Sequence, residues 1–204
     1  TGQAWGEEKL SFTDPDATVR RKAMDRLESH IPLAEKLGAM IIVGLIRGIG
    51  GFSSSRIEEQ WLLEALQRCT EKASTHGVRI VVEPLNRYET TLINTVSQGM
   101  EVIEKIGAKN LGLLLDTFHM NIEEPSIGDS IRACRDKIFH FHVADSNRWY
   151  PGAGHLDFAS ILKTLFKTGY KGFISGEFIP EPDAVVSASR SLEHLRGLSL
   201  DGAG

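Results

Sequence analysis

Several features that restrict function are missing from this sequence of 204 residues. No apolar run reaches the roughly 18 to 20 residues of a membrane-spanning helix, so we expect no spanning segment and no membrane partner. Only two cysteines are present, both inside predicted helices, and they are too few for a disulfide-built secreted scaffold. We also find no signal-peptide pattern. The chain is therefore predicted to be cytoplasmic.

An excess of basic residues and a nucleotide-binding glycine motif are also missing. The formal net charge of −4 argues against nucleic acid as a partner, because such binding usually needs a basic face. No Gly-x-Gly-x-x-Gly turn joins a predicted strand to a helix, so nothing supports a dinucleotide-binding fold. The remaining composition, 41% hydrophobic and 25% charged, is typical of a globular domain, and we predict one domain over residues 1–204.

Five short apolar segments predict β-strands that alternate with helices. Their residues are β-branched or aromatic, and several segments are almost continuously apolar, as in parallel strands covered on both faces. The predicted strands cover residues 40–46, 78–85, 111–116, 138–144 and 172–178.

The segments between these strands contain start and stop signals of helices. The first helix is predicted to begin at the N-cap Asp14, with Pro15 at its first position, and to end at Gly38. The second covers about residues 55–76 and ends at Gly77. Further helices are predicted over residues 95–106, 126–135, 157–169 and 183–198.

This alternation fits either an open doubly wound sheet or a (β/α)8 barrel. A barrel normally takes about 250 residues, but only five βα units are visible here. Residues 1–5 are interpreted as the loop after a strand that is not present. We therefore expect a C-terminal part of a barrel, or a barrel completed by another chain, lacking roughly the first three units of about 30 residues each.

An ionisable side chain interrupts four of the predicted strands near the C-terminal end. In parallel α/β folds, active sites are built at that end. Burying four such groups is costly unless a partner compensates them, and a divalent cation does so directly. An oxygen-rich set of three carboxylates and one imidazole favours Mn²⁺, Mg²⁺ or Co²⁺ over a tetrahedral zinc site. The four candidate ligands are Glu83, Asp116, His142 and Glu177.

Each candidate has an ordinary structural explanation when it is taken alone. A strand-end acid often caps a helix or pairs with an arginine, and a histidine is often a hydrogen-bonded core residue. Four such residues at matching depth are hard to explain independently, so we predict a metal site. His140 precedes His142 on the same strand face, and we expect it one layer deeper as a hydrogen-bonded core histidine.

Longer motifs surround these positions. Together with Gly176-Glu177-Phe178 they resemble the xylose isomerase-like TIM barrels, in particular the sugar isomerase/epimerase family that contains D-tagatose and D-psicose 3-epimerases. The segment 142–157 is most similar to the 5-keto-L-gluconate epimerase branch. The spacings of 33, 26 and 35 residues between the candidate ligands also fit this family. The motifs are Glu-Pro-Leu-Asn-Arg-Tyr-Glu at 83–89, Leu-Asp-Thr-Phe-His-Met-Asn-Ile-Glu-Glu at 115–124 and His-Phe-His-Val-Ala-Asp-Ser-Asn-Arg at 140–148.

The resemblance implies a (β/α)8 TIM barrel of the xylose isomerase-like type and a metal-dependent epimerase. Such an enzyme inverts the carbon next to the keto group of a ketose or keto-sugar acid, through an enediolate. The resemblance implies that Glu83 and Glu177 are the acid/base pair. It further implies that one divalent ion, with Mn²⁺ as the first choice, is bound by Glu83, Asp116, His142 and Glu177.

The resemblance also implies a substrate site and an assembly. Glu89, His119 and Arg148 match positions that hydrogen-bond the ketose. A substrate carboxylate would be bound by Arg148 or His155 through charge-assisted hydrogen bonds. Related barrels form dimers or tetramers, which implies a homo-oligomer, although no residue of the sequence marks an interface.

Three other functions are weighed against the epimerase. An aldose–ketose isomerase such as hydroxypyruvate isomerase would use the same metal and carboxylates but move the proton between C1 and C2. A DNA-repair enzyme of the endonuclease IV type shares Asp116-x-x-His119 and Asp145-Ser146, but its Asp-x-His motif is missing from the loop at 147–152. A catalytically inactive sugar-binding barrel would not need all four candidate ligands.

Overall fold

The computed structural model of the chain describes residues 2–198, which contain five β-strands and nine α-helices. The strands are β1 (Ile41–Val43), β2 (Ile80–Val82), β3 (Leu111–Asp116), β4 (Ile138–Val143) and β5 (Ile174–Gly176). The helices are α1 (Gly2–Gly6), α2 (Ala17–Ser29), α3 (Ile31–Leu37), α4 (Ser55–Ser74), α5 (Val96–Ile106), α6 (Thr117–Glu123), α7 (Ile127–Ala133), α8 (Phe158–Lys167) and α9 (Ala184–Gly197). Two short 3-10 turns cover Leu45–Arg47 and Arg135–Lys137.

All five predicted strands are confirmed, and they form one parallel sheet in the order β1-β2-β3-β4-β5. Ile80 of β2 lies opposite Ile41 of β1 and Leu111 of β3. In the same way, Phe141 of β4 lies opposite Ile174 of β5. Strands β1, β2 and β5 have only three residues each, fewer than predicted, because the chain leaves the hydrogen-bonded ladder at both ends of the apolar segment.

The chain divides into two compact units, Thr1–Leu113 and Leu114–Gly204, and β3 contributes residues to both. The core of the first unit contains apolar side chains of α2, α3, α4 and the strands. The core of the second unit contains side chains of β4, α7 and α8. The fully buried residues include Leu27, Ile31, Leu66, Ile80, Leu111 and Leu113 in the first unit, and Ile131, Phe141, Phe158 and Leu165 in the second.

The prediction for the first helix is wrong at its start and in its length. The N-cap is Asp16, whose side chain accepts a 2.7 Å hydrogen bond from the Thr18 N–H, and Asp14 instead accepts from the Asp16 N–H. Helix α2 ends at Ser29, and α3 begins as a separate helix. The reason is Pro32 in the first turn of α3, because proline has no N–H with which to continue the preceding helix.

Two further helices differ from the predictions. Residues 2–6 form α1 and not a loop, with Ala4 buried and its carbonyl accepting a hydrogen bond from the Leu10 N–H. The remaining residue of that predicted loop, Thr1, lies outside the described residues. Helix α6 was not predicted because its seven residues are too few for a periodic pattern. The other predicted helices are present, with the N-caps Thr95, Ser126, Asp157 and Asp183.

Both cysteines are buried free thiols: Cys69 lies in α4, and Cys134 directly follows α7. Burial raises the pKa of Cys69 and of Cys134 to about 12, so neither is a reactive thiolate at neutral pH. Within residues 2–198, no helix combines the length and the apolar character needed to cross a membrane.

Candidate functional site

Asp116 stands where β3 ends and α6 begins. Its Oδ1 accepts the backbone N–H groups of Phe118 at 2.7 Å and His119 at 3.4 Å, so the side chain also caps the helix. Its Oδ2 is buried and accepts no hydrogen bond from any of residues 2–198. Burial and the nearby charge of Glu177 raise the pKa of Asp116 to about 6, against the opposing effect of the Phe118 N–H.

His142 faces this carboxylate from β4. Its Nδ1 lies 3.8 Å from Asp116 Oδ2 and 3.3 Å from Glu177 Oε2. The same imidazole nitrogen is therefore close to two carboxylates, which come from the ends of β3 and β5. His140 lies on the same strand, with its ring edge-to-face to that of His142 at a centroid distance of 5.0 Å. As predicted, His140 is hydrogen-bonded (3.0 Å to Ser175 Oγ), but it is only half-buried.

Glu177 follows β5, and it differs from the expectation that all four candidates are buried. Its side chain is 48% exposed. The hydrogen bond from His142 lowers the pKa of Glu177, and the positive charge of Arg148 acts in the same direction. Glu177 is therefore ionised at neutral pH.

Asp116, His142 and Glu177 together form a group that could hold a cation. One ligand atom of each lies within 4.8 Å of the ligand atoms of the other two. The residues fit a divalent ion, because two carboxylates and an imidazole are ordinary ligands for it and because the buried Asp116 Oδ2 accepts no hydrogen bond. The residues that sequence analysis expected at the ends of β3, β4 and β5 thus lie together.

Glu83 belongs to the first unit and directly follows β2, whereas it was predicted to lie inside that strand, near its C-terminal end. It is buried, and its N–H donates a 3.2 Å hydrogen bond to the carbonyl of Val43 in β1. Its own carbonyl accepts a 2.5 Å hydrogen bond from Arg47 Nη1. Glu89, also in this unit, accepts a 3.2 Å hydrogen bond from Asn86 Nδ2.

Arg47 is the largest of the fully buried side chains within residues 2–198, and sequence analysis did not identify it. Besides Glu83, its guanidinium donates to the carbonyl oxygens of Leu92 at 2.8 Å and Ile93 at 3.1 Å. Burial lowers the pKa of Arg47 to about 10, although the charges of Glu83 and Glu89 oppose this effect. The signal that could have revealed it was an arginine directly after the apolar segment 40–46.

The predicted substrate residues His119 and Arg148 flank the ring of Phe118 in the second unit. His119 is buried on α6, with its ring edge-to-face to that of Phe118 at 5.4 Å. The guanidinium of Arg148 lies over the same ring at 4.8 Å from the centroid, and its Nη2 is 3.9 Å from Glu177 Oε2. Two residues predicted from separate motifs therefore lie beside a candidate metal ligand.

A buried carboxylate, Asp145, organises the loop that contains Arg148. It accepts backbone N–H groups of Ser146, Gly152 and Leu156 at 2.7 to 3.1 Å. Sequence analysis gave it no role in the predicted site, although an aspartate directly after a buried strand was a usable signal. The remaining candidate, His155, is exposed and lies 3.0 Å from Ser146 Oγ through its Nδ1.

The chain matches the family model described as "Xylose isomerase-like TIM barrel" over residues 4–198. L-ribulose 3-epimerase of Mesorhizobium japonicum is 36% identical over 169 residues, which are 81% of this chain and 57% of that protein. D-psicose 3-epimerase of Ruminiclostridium cellulolyticum is 32% identical over 173 residues, which are 82% and 58% of the two chains. The chain thus spans less than two thirds of the length of these relatives.

Solved structures of sugar epimerases are also similar to this chain. The apo crystal structure of 3-keto-D-glucoside 4-epimerase from Escherichia coli has a TM-score of 0.83 at 25% identity, covering 91% of this chain and 74% of that one. A structure of L-ribulose 3-epimerase has a TM-score of 0.78 at 32% identity, covering 95% and 66%.

Proposed function

Because the chain belongs to the xylose isomerase-like TIM barrel family, we propose that it provides the metal site of a sugar epimerase. The observation that carries this proposal is the group of Asp116, His142 and Glu177 at the ends of β3, β4 and β5. The relatives support the type of reaction. A ketose 3-epimerase and a 3-keto-glucoside 4-epimerase, by their names, both invert a carbon next to a keto group.

A divalent ion would be held by Asp116, His142 and Glu177, and we propose Glu83 as the fourth ligand. The register of the sheet supports Glu83 as a ligand. Val82 of β2 pairs with Leu113 of β3, and the two parallel strands then run toward the same edge of the sheet. Three carboxylates and one imidazole favour Mn²⁺, with Mg²⁺ and Co²⁺ as alternatives. When bound, the ion would polarise the keto group and stabilise the negative charge that develops during enolisation.

Inversion requires that a proton leaves one face of the carbon and that another is added to the opposite face. Glu177 is suited to accept the first proton, since it is ionised at neutral pH and its side chain is half-exposed. Glu83 is proposed as the partner that donates to the other face, and the roles exchange for the reverse reaction. General acid–base catalysis of this kind contributes about 10² to 10⁴-fold to the rate.

Substrate binding is assigned to Arg148, His119 and Glu89. Arg148 is well placed because its guanidinium lies 3.9 Å from Glu177, so it would donate to a sugar oxygen beside the proposed base. His119 would donate to the developing oxyanion, and Glu89 would accept from a sugar hydroxyl. In a keto-sugar acid, Arg148 or His155 would bind the carboxylate.

Additional βα units are proposed to cover the free edge of β5. Within residues 2–198 this strand is at one end of the sheet order, and next to it Phe173 is 83% exposed. These units would come from the rest of a longer chain or from another copy in a homo-oligomer. A parent protein with an intact mass near 22.5 kDa that is a stable monomer would contradict this proposal.

NMR spectroscopy in D₂O tests the reaction directly. Candidate 2-ketoses and keto-hexonates are incubated with the chain and either Mn²⁺ or a chelator. We expect Mn²⁺-dependent deuterium at C3 and the appearance of the C3 epimer. Deuterium at C1 or C2 with an aldose product would instead identify an aldose–ketose isomerase, and no exchange with bound Mn²⁺ would contradict the proposed activity of this chain.

A further inference from the structure

The loop between β4 and α8 folds around one buried carboxylate. Asp145, directly after the strand, is fully buried. Its Oδ1 accepts the N–H groups of Ser146 at 2.7 Å and Leu156 at 3.1 Å, and its Oδ2 accepts that of Gly152 at 2.8 Å. These donors come from the beginning, the middle and the end of the loop, so a single side chain joins all three parts.

The backbone of Asp145 closes the turn that contains Arg148. The Asp145 N–H donates to the carbonyl of Trp149 at 2.9 Å, and the Arg148 N–H donates to the carbonyl of Asp145 at 2.8 Å. Arg148 has a φ of +61°, a left-handed conformation that non-glycine residues rarely adopt. Surrounding contacts must therefore hold Arg148 in this conformation.

The backbone at Gly154 also passes very close to the Asp145 carboxylate. A Cβ added at Gly154 would overlap Asp145 Oδ1 and Ser146 Oγ, so only glycine allows the chain to pass so close. The far side of the turn is tied to the segment after β5, because the Ile179 N–H donates a 2.7 Å hydrogen bond to the Arg148 carbonyl. Contacts at several points thus fix the course of the loop, including the turn that contains Arg148.

We infer that Asp145 is a positioning residue that holds Arg148 beside Glu177. The inference rests on the proposed function, in which Arg148 binds the sugar and Glu177 moves its proton. Asp145 does not need to touch the substrate. Its carboxylate fixes the loop, the loop fixes the left-handed turn, and the turn directs the Arg148 guanidinium over the Phe118 ring and toward Glu177 Oε2.

The substitution Asp145→Asn tests this role with little change in shape. One oxygen becomes an NH₂ group, which donates and cannot accept, so at least one of the backbone N–H groups loses its acceptor. We expect KM for the ketose to rise about tenfold to a hundredfold. The affinity for Mn²⁺ should stay within about twofold, because Asp145 is not in the ligand set. As a control, Asp183→Asn changes a carboxylate that likewise accepts a backbone N–H (Val186, 2.9 Å) but caps α9, and it should leave KM unchanged.

A double-mutant cycle separates positioning from a general loss of structure. In an Arg148→Ala background, Asp145→Asn should raise KM by less than about twofold, because the residue through which it acts is gone. A full effect of Asp145→Asn in that background would overturn the inference, as would an unchanged KM in the single variant. If Asp145→Asn fails to fold, Gly154→Ala perturbs the same contact from the loop side and should raise KM in the same way.

Amide hydrogen exchange gives a readout that does not depend on turnover. The N–H groups of Ser146, Gly152 and Leu156 should exchange at least about tenfold faster in Asp145→Asn than in the unmodified chain. A chain that shows no epimerase activity with any sugar would refute the proposed function, and the exchange rates would still decide whether Asp145 anchors the loop. Unchanged exchange at these amides would overturn the inference even in an active enzyme.

Discussion

The hydroxyl of Thr117 joins the end of β3 to the end of β4 through two hydrogen bonds to Ala144. It donates to the Ala144 carbonyl at 2.6 Å and accepts from the Ala144 N–H at 2.9 Å. Both residues are fully buried. Since Thr117 follows Asp116 and Ala144 is two residues after His142, this contact sets the relative position of two proposed metal ligands.

We predict that Thr117→Val destabilises the protein although it keeps the shape of the side chain. The substitution leaves a buried N–H and a buried carbonyl without their partner, which costs about 1 to 3 kcal/mol. Urea unfolding measures this loss, and the affinity for Mn²⁺ should fall in the same variant. Thr75→Val is the control, because that threonine is exposed at the end of α4 and its hydroxyl donates to the Lys72 carbonyl. Equal stability of the two variants would contradict the prediction.

Arg47→Met is expected to be the more damaging change. The guanidinium supplies hydrogen bonds to the carbonyls of Glu83, Leu92 and Ile93, and methionine supplies none. We predict a loss of about 3 to 5 kcal/mol in the free energy of unfolding, because several buried carbonyls lose their donor at once. Arg21→Met replaces an exposed arginine and should change stability by less than about 0.5 kcal/mol. If Arg47→Met is as stable as this control, the hydrogen bonds of the Arg47 guanidinium contribute little to the free energy of unfolding.

The sequence was informative where a signal is local. Apolar segments predicted the five strands, and the interruption of those segments by acids and a histidine predicted the group at Asp116, His142 and Glu177. The break between α2 and α3 could have been predicted from Pro32, but the continuous periodicity of the apolar residues hid it. Arg47 binds backbone carbonyls up to 46 residues away in sequence, so no spacing rule could identify its partners. The partners of Asp145 lie within 11 residues, but they depend on the irregular course of a loop that has no periodic pattern. The exposure of Glu177 likewise depends on what packs beside β5.

The pKa of Asp145 predicts a specific dependence of stability on pH. Burial raises this pKa, but the backbone N–H groups of Leu156, Ser146, Gly154 and Gly152 together bring it below the ordinary value of 3.8. The folded state then binds fewer protons than the unfolded state, so the contribution is complete above the ordinary pKa and is lost as pH falls through the folded-state pKa. Urea unfolding gives the free energy of unfolding of the unmodified chain and of Asp145→Asn between about pH 7 and about pH 3. The difference between the two free energies should become smaller toward pH 3. A difference that is constant across this range would contradict the lowered pKa.

Arg148→Ala tests which substrates the site accepts. The residue supplies a positive charge next to Glu177, and a carboxylate on the substrate would form a stronger, charge-assisted hydrogen bond with it than a hydroxyl would. If keto-sugar acids are the substrates, we expect kcat/KM for them to fall about tenfold more than kcat/KM for neutral ketoses. Equal losses for both classes would mean that Arg148 binds only sugar hydroxyls or the keto oxygen. The exposed Arg21→Ala serves as the control for nonspecific effects of charge.

Glu177→Gln separates proton transfer from metal binding. Glutamine keeps an oxygen that can face the ion, but it cannot accept a proton from carbon. We predict that epimerisation and deuterium exchange at C3 fall by about 10² to 10⁴-fold, while Mn²⁺ binding, measured by electron paramagnetic resonance, largely survives. Glu181→Gln, at an exposed position four residues later, should retain full activity. Near-normal turnover by Glu177→Gln would show that Glu177 does not transfer the proton. If the variant binds Mn²⁺ weakly but turns over at a near-normal rate when saturated with Mn²⁺, Glu177 acts only as a metal ligand.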